Sequence, residues 1–106
     1  MAWTWLLLAG LLEIAWAIGL KYTEGFTRLW PSVATIILMI ASFYCLAVAV
    51  RTLPLGTSYA IWTGIGAVGT SVFGMVRFAE GTSPVRLICL ALVIAGIVGL
   101  KLTSED

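Results

Sequence analysis

The sequence predicts an all-α membrane protein whose four transmembrane helices form a single domain, residues 1–106. Hydrophobic residues make up 61% of the chain and charged residues only 10%, whereas soluble domains average about 25% charged residues. Four apolar stretches follow one another, at residues 3–20, 31–50, 54–78 and 84–102. Each is long enough for a hydrocarbon core of roughly 30 Å, which needs about 20 apolar residues per helix.

The first apolar stretch superficially resembles a signal peptide, because Ala15, Trp16 and Ala17 mimic a small-x-small cleavage pattern. It lacks a basic segment in front of the apolar run, and Glu13 interrupts that run. We therefore expect this stretch to be retained as the first helix.

Prolines and charges mark the ends of the helices. Pro31, Pro54 and Pro84 each fall where a new helix begins, and proline suits the first helical turn because its missing N–H would have no partner there. Ser83 is the predicted N-cap of the last helix. All charged residues except Glu13 lie at helix ends, in connections or in the tail: Lys21, Glu24, Arg28, Arg51, Arg77, Glu80, Arg86, Lys101, Glu105 and Asp106.

The connections are short, so consecutive helices are predicted to be antiparallel neighbours. Basic residues are distributed only slightly unevenly between the two sides of the membrane: Lys21, Arg28, Arg77 and Arg86 on one, Arg51 and Lys101 on the other. Because lysine and arginine set the orientation of a membrane protein, so weak a bias predicts that the chain inserts both ways.

An oligomer is expected, since four short helices enclose little volume for a polar site in lipid. Ala91, Ala95 and Gly99 recur at four-residue intervals in the last helix. Small residues at this spacing let membrane helices approach closely, and we predict that this stripe packs a homodimer; packing within one chain is the alternative.

Glu13 is the one acidic residue inside a predicted span. It lies about ten residues, or roughly 15 Å, from the start of its helix, and an ionised carboxylate at that depth costs about 2.5–3.5 kcal/mol on insertion scales. No basic residue lies at a similar depth. Glu13 is therefore predicted to bind a proton or a cation, and the alternative is a carboxylate that only holds helices together.

Four residues are candidates to surround Glu13. Trp16 lies three residues after Glu13 and shares a helix face with it, and Ser42 lies at a matching depth in the second helix. Both could donate hydrogen bonds to the Glu13 carboxylate. Tyr59 and Trp62 share a face of the third helix and could brace Glu13 and wall a cation. The alternatives are a lipid-facing or packing role for Trp16, a bond from Ser42 to its own backbone carbonyl, and an interfacial Tyr59 with a packed Trp62.

Other motifs argue against further chemistry. Residues 64–69, GIGAVG, match GxGxxG literally but lack the strand, the βαβ unit and the downstream acidic residue of a dinucleotide site. We expect these glycines to allow close helix packing or a flexible bend in a membrane helix. The chain has no histidine, and a net charge of +1 offers nothing for nucleic acid. No metal site, no cofactor and no enzymatic activity are predicted.

The residues described so far occur together in a known family. Residues 11–13 (LLE), 21–32 (KYTEGFTRLWPS) and 56–64 (GTSYAIWTG) resemble the small multidrug resistance family of proton-coupled exporters, along almost the whole chain. Residues 13–17 (EIAWA), 62–69 (WTGIGAVG) and 99–102 (GLKL) resemble its guanidinium exporter branch. Its multidrug branch has a small residue at the position of Trp16 and lacks the lysine that corresponds to Lys101.

The resemblance implies an antiparallel, dual-topology homodimer with alternating access, in the plasma membrane of a prokaryote. It implies that protons and a cation compete for Glu13 of both subunits, while Trp16, Ser42 and Tyr59 hydrogen-bond the carboxylate and Trp62 lines the pocket. The leading hypothesis is thus a proton/guanidinium antiporter. A broad exporter of quaternary ammonium and hydrophobic cationic drugs is one alternative, and a non-transporting small membrane subunit is another.

Overall fold

The computed structural model describes residues 2–103, which fold into four helices. These are α1 (Ala2–Tyr22), α2 (Leu29–Ala49), α3 (Leu55–Arg77) and α4 (Pro84–Thr103). Each is long and apolar enough to cross a membrane, which confirms the predicted four spans. Glu105 and Asp106, assigned to the tail from the sequence, lie outside the described residues.

The helix starts follow the prolines, with one difference. Pro84 is the first residue of α4 and Pro54 the N-cap of α3, but α2 begins two residues before Pro31. Pro31 therefore occupies the first turn, where an N–H still has no intrahelical partner. The predicted cap at Ser83 is confirmed, because its Oγ accepts a hydrogen bond from the backbone N–H of Arg86 at 3.3 Å.

The helices form a flat body whose Cα atoms span 43 × 35 × 16 Å. Helix α1 packs extensively against both α2 and α3, whereas α2 and α3 touch each other little. Consecutive helices are in contact, as expected, but the contact between α2 and α3 is small, and α3 packs mainly on α1. Helix α4 packs mainly on α3, meets α1 where Lys101 Nζ lies 4.3 Å from the centre of a Trp3 ring, and contains no buried residue.

The buried core lies where the first three helices meet. Leu6 and Ala9 come from α1, Cys45 and Ala49 from α2, and Trp62 from α3. This core holds the Ala9 backbone and the Trp62 indole in fixed positions beside the predicted site.

Candidate functional site

Glu13 lies at the contact between α1 and α3, directly beside Gly66. The side chain is partly buried, and its Oε1 is enclosed without a hydrogen-bond partner among the residues that the structure describes. A Cβ built on Gly66 would overlap the Glu13 carboxylate. The glycine therefore makes the space in which this carboxylate rests against the backbone of α3.

A groove of about 270 Å³ runs beside the Glu13 carboxylate between α1 and α3. Three of the residues that line it, Thr63, Thr70 and Ser71, carry hydroxyl groups. One of them, Thr63 Oγ1, donates to the backbone carbonyl of Tyr59 at 2.9 Å, while Thr70 Oγ1 is buried without a partner in the described part of the chain. The lining residues are Glu13, Ala17, Thr63, Gly66, Ala67, Thr70 and Ser71.

Glu13 forms no ion pair within 4 Å in residues 2–103. The ion pairs found there join Glu24 to Arg28 at 3.4 Å and Glu80 to Arg86 at 3.8 Å, and both lie in or beside helix connections. The Glu13 carboxylate thus has no paired Lys or Arg among these residues, as expected because no basic residue lies at a similar depth in the sequence.

Ser42 has a different partner from the one expected. The sequence suggested that it donates to Glu13, but its hydroxyl donates to the Ala9 carbonyl at 2.8 Å and accepts the Trp62 indole N–H at 3.0 Å. A serine hydroxyl has a single proton, and the close packing of α1 on α2 brings the Ala9 carbonyl to that proton. Ser42 is fully buried and holds Trp62 in place.

Aromatic rings form a continuous row along one side of the bundle. Trp16 meets Phe43 edge to face with ring centres 6.1 Å apart, Phe43 meets Trp62 at 5.5 Å, and Trp62 meets Tyr59 at 5.5 Å. Pairs with this geometry add stability beyond the area that they bury. The row brings three of the predicted site residues together through Phe43, which sequence reasoning did not single out.

The hydrogen bonds expected at Glu13 are not formed within the described part of one chain. Trp16 Nε1 is buried and has no partner there, and Tyr59 is 55% exposed. The roles of Trp16 and Tyr59 at the carboxylate stay predictions. The Trp16 indole N–H and the Tyr59 hydroxyl have no hydrogen-bond partner among residues 2–103.

Sequence reasoning missed Thr70 and Ser71, and it did not place Gly66 beside Glu13. A signal was present, since Thr63, Gly66 and Thr70 recur at spacings of three and four and so share one face of α3. The role expected for the glycine-rich segment is confirmed by its packing. A Cβ at Gly64 would lie 2.8 Å from Ile97 Cδ1, and one at Gly69 would overlap Ile14.

The small-residue stripe of α4 faces away from the rest of the chain. Ala91, Ala95 and Gly99 are all exposed, and a Cβ built on Gly99 meets nothing within 4 Å. The stripe therefore does not serve packing within the chain, which was the alternative to a role between chains.

Known proteins similar to this chain are small membrane exporters. The family described as "Small Multidrug Resistance protein" matches residues 1–93. Proteins named "Guanidinium exporter" from Citrobacter freundii and Salmonella typhimurium are 60% identical over 105 residues, which covers 99% of this chain and all of each relative. One from Yersinia pseudotuberculosis is 57% identical over 104 residues, 98% of this chain and all of that relative.

The four spans and the bacterial relatives identify a multi-pass protein of the prokaryotic plasma membrane. The match over residues 1–93 and the identity over nearly the whole length lead to one assignment. The chain belongs to the small multidrug resistance family.

Proposed function

We propose that this protein exports guanidinium and small guanidinyl cations in exchange for protons, with Glu13 of two subunits as the shared binding site. The observation that carries the proposal is a carboxylate midway along a membrane helix, with an enclosed oxygen that has no partner in residues 2–103. Relatives that match nearly the whole chain are named guanidinium exporters, which supports guanidinium as the cation.

The chemistry of the two ligands explains the exchange. Guanidinium is planar and only donates hydrogen bonds, and a carboxylate accepts two of them side by side. Its charge is not lost at physiological pH, as for arginine, so deprotonation does not release it. Protonation of Glu13 removes the negative charge that guanidinium needs, so protons and substrate occupy the site in turn.

A homodimer completes the site in this proposal. One chain leaves α4 without a buried residue, leaves Trp16 Nε1 without a partner in its described part and leaves Tyr59 55% exposed. A second copy packed antiparallel, in the dual topology that the charge distribution favours, covers these groups. Residues 1–106 of each copy then form one transporter domain, with the stripe of Ala91, Ala95 and Gly99 between copies.

The pocket residues have distinct tasks. Trp16 and Tyr59 donate hydrogen bonds to ionised Glu13 in the assembled dimer and hold it oriented. Trp62 presents its ring to the planar cation, and Ser42 acts through Trp62, because its own proton is committed to the Ala9 carbonyl. The function is transport rather than catalysis, and it uses no cofactor.

Transport by purified protein in liposomes tests the proposal. With an imposed pH gradient, the wild-type protein is expected to exchange guanidinium for protons, and lowering the pH on the guanidinium side should raise the apparent KM because protons compete for Glu13. Glu13→Gln should abolish the exchange. Glu24→Gln is the matched control, because Glu24 is an exposed carboxylate in the connection after α1, paired with Arg28.

Each alternative has its own outcome. Transport of tetrapropylammonium without guanidinium transport would replace the proposal with a broad exporter of hydrophobic cations. No transport of either cation by a well-folded dimer would favour a non-transporting membrane subunit. Proton-driven guanidinium exchange that persists in Glu13→Gln would refute the assignment of the site.

A further inference from the structure

The groove at Glu13 continues toward the membrane surface. A second groove of about 230 Å³ lies between the later turns of α1 and α3, and the two grooves share Ala17, Thr70 and Ser71 in their walls. Glu13, Ala17 and Lys21 are four residues apart and therefore lie on one face of α1. The distance from Glu13 to Lys21 is about 12 Å along the helix axis, which leads from the middle of the membrane to its edge.

Glu80 stands at the outer end of this second groove. Its backbone N–H donates to the Gly74 carbonyl at 3.2 Å, and its carboxylate lies against the Cα of Gly74, where a Cβ would overlap it. The side chain is 43% exposed. Gly74 therefore lets the Glu80 carboxylate reach over the end of α3 into the groove, as Gly66 does for Glu13 deeper in the membrane.

The Glu80 carboxylate forms a loose ion pair with a guanidinium group of the protein, that of Arg86. Arg86 Nη2 lies 3.8 Å from Glu80 Oε1, and both side chains are nearly half exposed. Such a long, exposed ion pair contributes little to stability. The pair is thus an exchangeable contact, and a free guanidinium ion offers the carboxylate the same planar, donor-only group as Arg86.

We propose that Glu80 is a second binding site for the transported cation, at the mouth of the groove, where guanidinium displaces Arg86 before moving to Glu13 or after leaving it. The proposal rests on the proposed function. Thr70 and Ser71 line both grooves and each carries a hydroxyl oxygen, and Thr70 Oγ1 is buried without a partner in residues 2–103. These oxygens accept hydrogen bonds from a cation that passes between the two sites.

Nearby positive charge keeps the mouth site weak. Lys21 lines the same groove with its Nζ 4.9 Å from the centre of the Phe78 ring, and Arg86 competes directly for the carboxylate. A conducting pathway needs sites that bind strongly enough to admit an ion and weakly enough to release it. Arg86 at the Glu80 carboxylate and Lys21 in the same groove weaken cation binding there, whereas Glu13 has no paired cation in residues 2–103.

Substitutions of Glu80 and Arg86 should have opposite effects on the KM for guanidinium, and this tests the proposed site at Glu80, the mouth site. In proteoliposomes, Glu80→Gln is expected to raise the KM for guanidinium about three- to fivefold, the upper range for a partly exposed charge pair, with less change in maximal rate. Arg86→Gln should lower the KM, because it removes the competitor. The double variant should behave like Glu80→Gln, since Arg86 acts only through Glu80.

Further variants keep the test decisive. Glu24→Gln breaks the comparable pair with Arg28 away from the groove and should leave the KM unchanged. Gly74→Ala keeps every charge but places a Cβ where the Glu80 carboxylate lies, so it should raise the KM as Glu80→Gln does. It also covers the case in which Glu80→Gln fails to fold.

Two outcomes would overturn the mouth site. One is a KM within experimental error of wild type in both Glu80→Gln and Gly74→Ala. The other is a rise in KM in Arg86→Gln that matches Glu80→Gln, because the pair would then only fasten the 78–83 connection. In either case wild-type exchange and its loss in Glu13→Gln would leave the proposed function intact, whereas absent wild-type exchange would refute the proposed function itself.

Discussion

The Glu13 carboxylate rests against the Cα of Gly66, in the space that the Cβ of any other residue would fill. This contact places the one deep carboxylate on the α3 backbone and exposes it to a groove lined by hydroxyl groups. The position of the Glu13 carboxylate thus depends on the absence of a side chain at Gly66 on the neighbouring helix.

Gly66→Ala should displace the Glu13 carboxylate without changing any charge. Because misplacing a functional group by about 1 Å costs of the order of 100-fold in rate, we expect guanidinium exchange to fall about 10- to 100-fold in proteoliposomes. Gly56→Ala is the control, because a Cβ at Gly56 on the same helix meets nothing within 4 Å. Equal activity of the two variants would show that the Glu13–Gly66 contact is not needed.

Ser42→Ala should destabilise the fold and loosen the pocket wall. It removes the donor to the Ala9 carbonyl and leaves the buried Trp62 indole N–H without its acceptor. A buried group left unsatisfied costs about 1–3 kcal/mol, which thermal unfolding in detergent should detect as a lower Tm. Ser32→Ala, which removes a local bond to the Arg28 carbonyl, is the control. A Tm loss no greater than in the control would contradict the role given to Ser42.

Two substitutions of Trp16 should distinguish its effect on substrate selectivity from its effect on the orientation of the Glu13 carboxylate. Its ring packs on Phe43, while its N–H lacks a partner in residues 2–103. We expect Trp16→Gly to open the pocket and admit tetrapropylammonium in transport competition assays. Trp16→Phe should keep large cations excluded but weaken guanidinium binding, because only the donor is lost. Unchanged selectivity in Trp16→Gly would remove Trp16 from the pocket.

Ala95→Leu should weaken the dimer if the stripe packs two copies together. A bulky side chain prevents the close approach that small residues permit. Gly96→Leu is the matched control, since Gly96 is exposed in one chain and points about 100° away around the helix. Size-exclusion chromatography with light scattering in detergent should show more monomer for Ala95→Leu alone. Similar dissociation in both variants would argue against a specific interface along Ala91, Ala95 and Gly99.

Much of the architecture followed from sequence because lipid imposes simple rules. Spans need apolar stretches of a set length, and Pro54, Pro84 and Ser83 mark helix starts by local backbone chemistry that acts within one turn. The depth of Glu13 follows from counting along a helix. None of these inferences required knowledge of which helices touch.

The tertiary structure decided what surrounds Glu13. Depth matching suggested that Ser42 donates to it, but the packing of α1 on α2 presents the Ala9 carbonyl first. The places of Gly66, Phe43 and Thr70 in the site could be assigned only from the packed helices. The rotation of each helix about its axis decides which residues face a neighbouring helix, and sequence spacing does not fix that rotation. The Glu80 carboxylate likewise lies in the groove because Gly74 has no Cβ to occupy that space.

By itself, the sequence determined that this is a four-helix membrane protein with one deep carboxylate, since composition, span length and depth are properties of a single chain segment in lipid. Only the tertiary structure decided which groups that carboxylate meets. Contacts between helices depend on the faces that pack together, and here small residues on α3 set those faces by letting α1 approach.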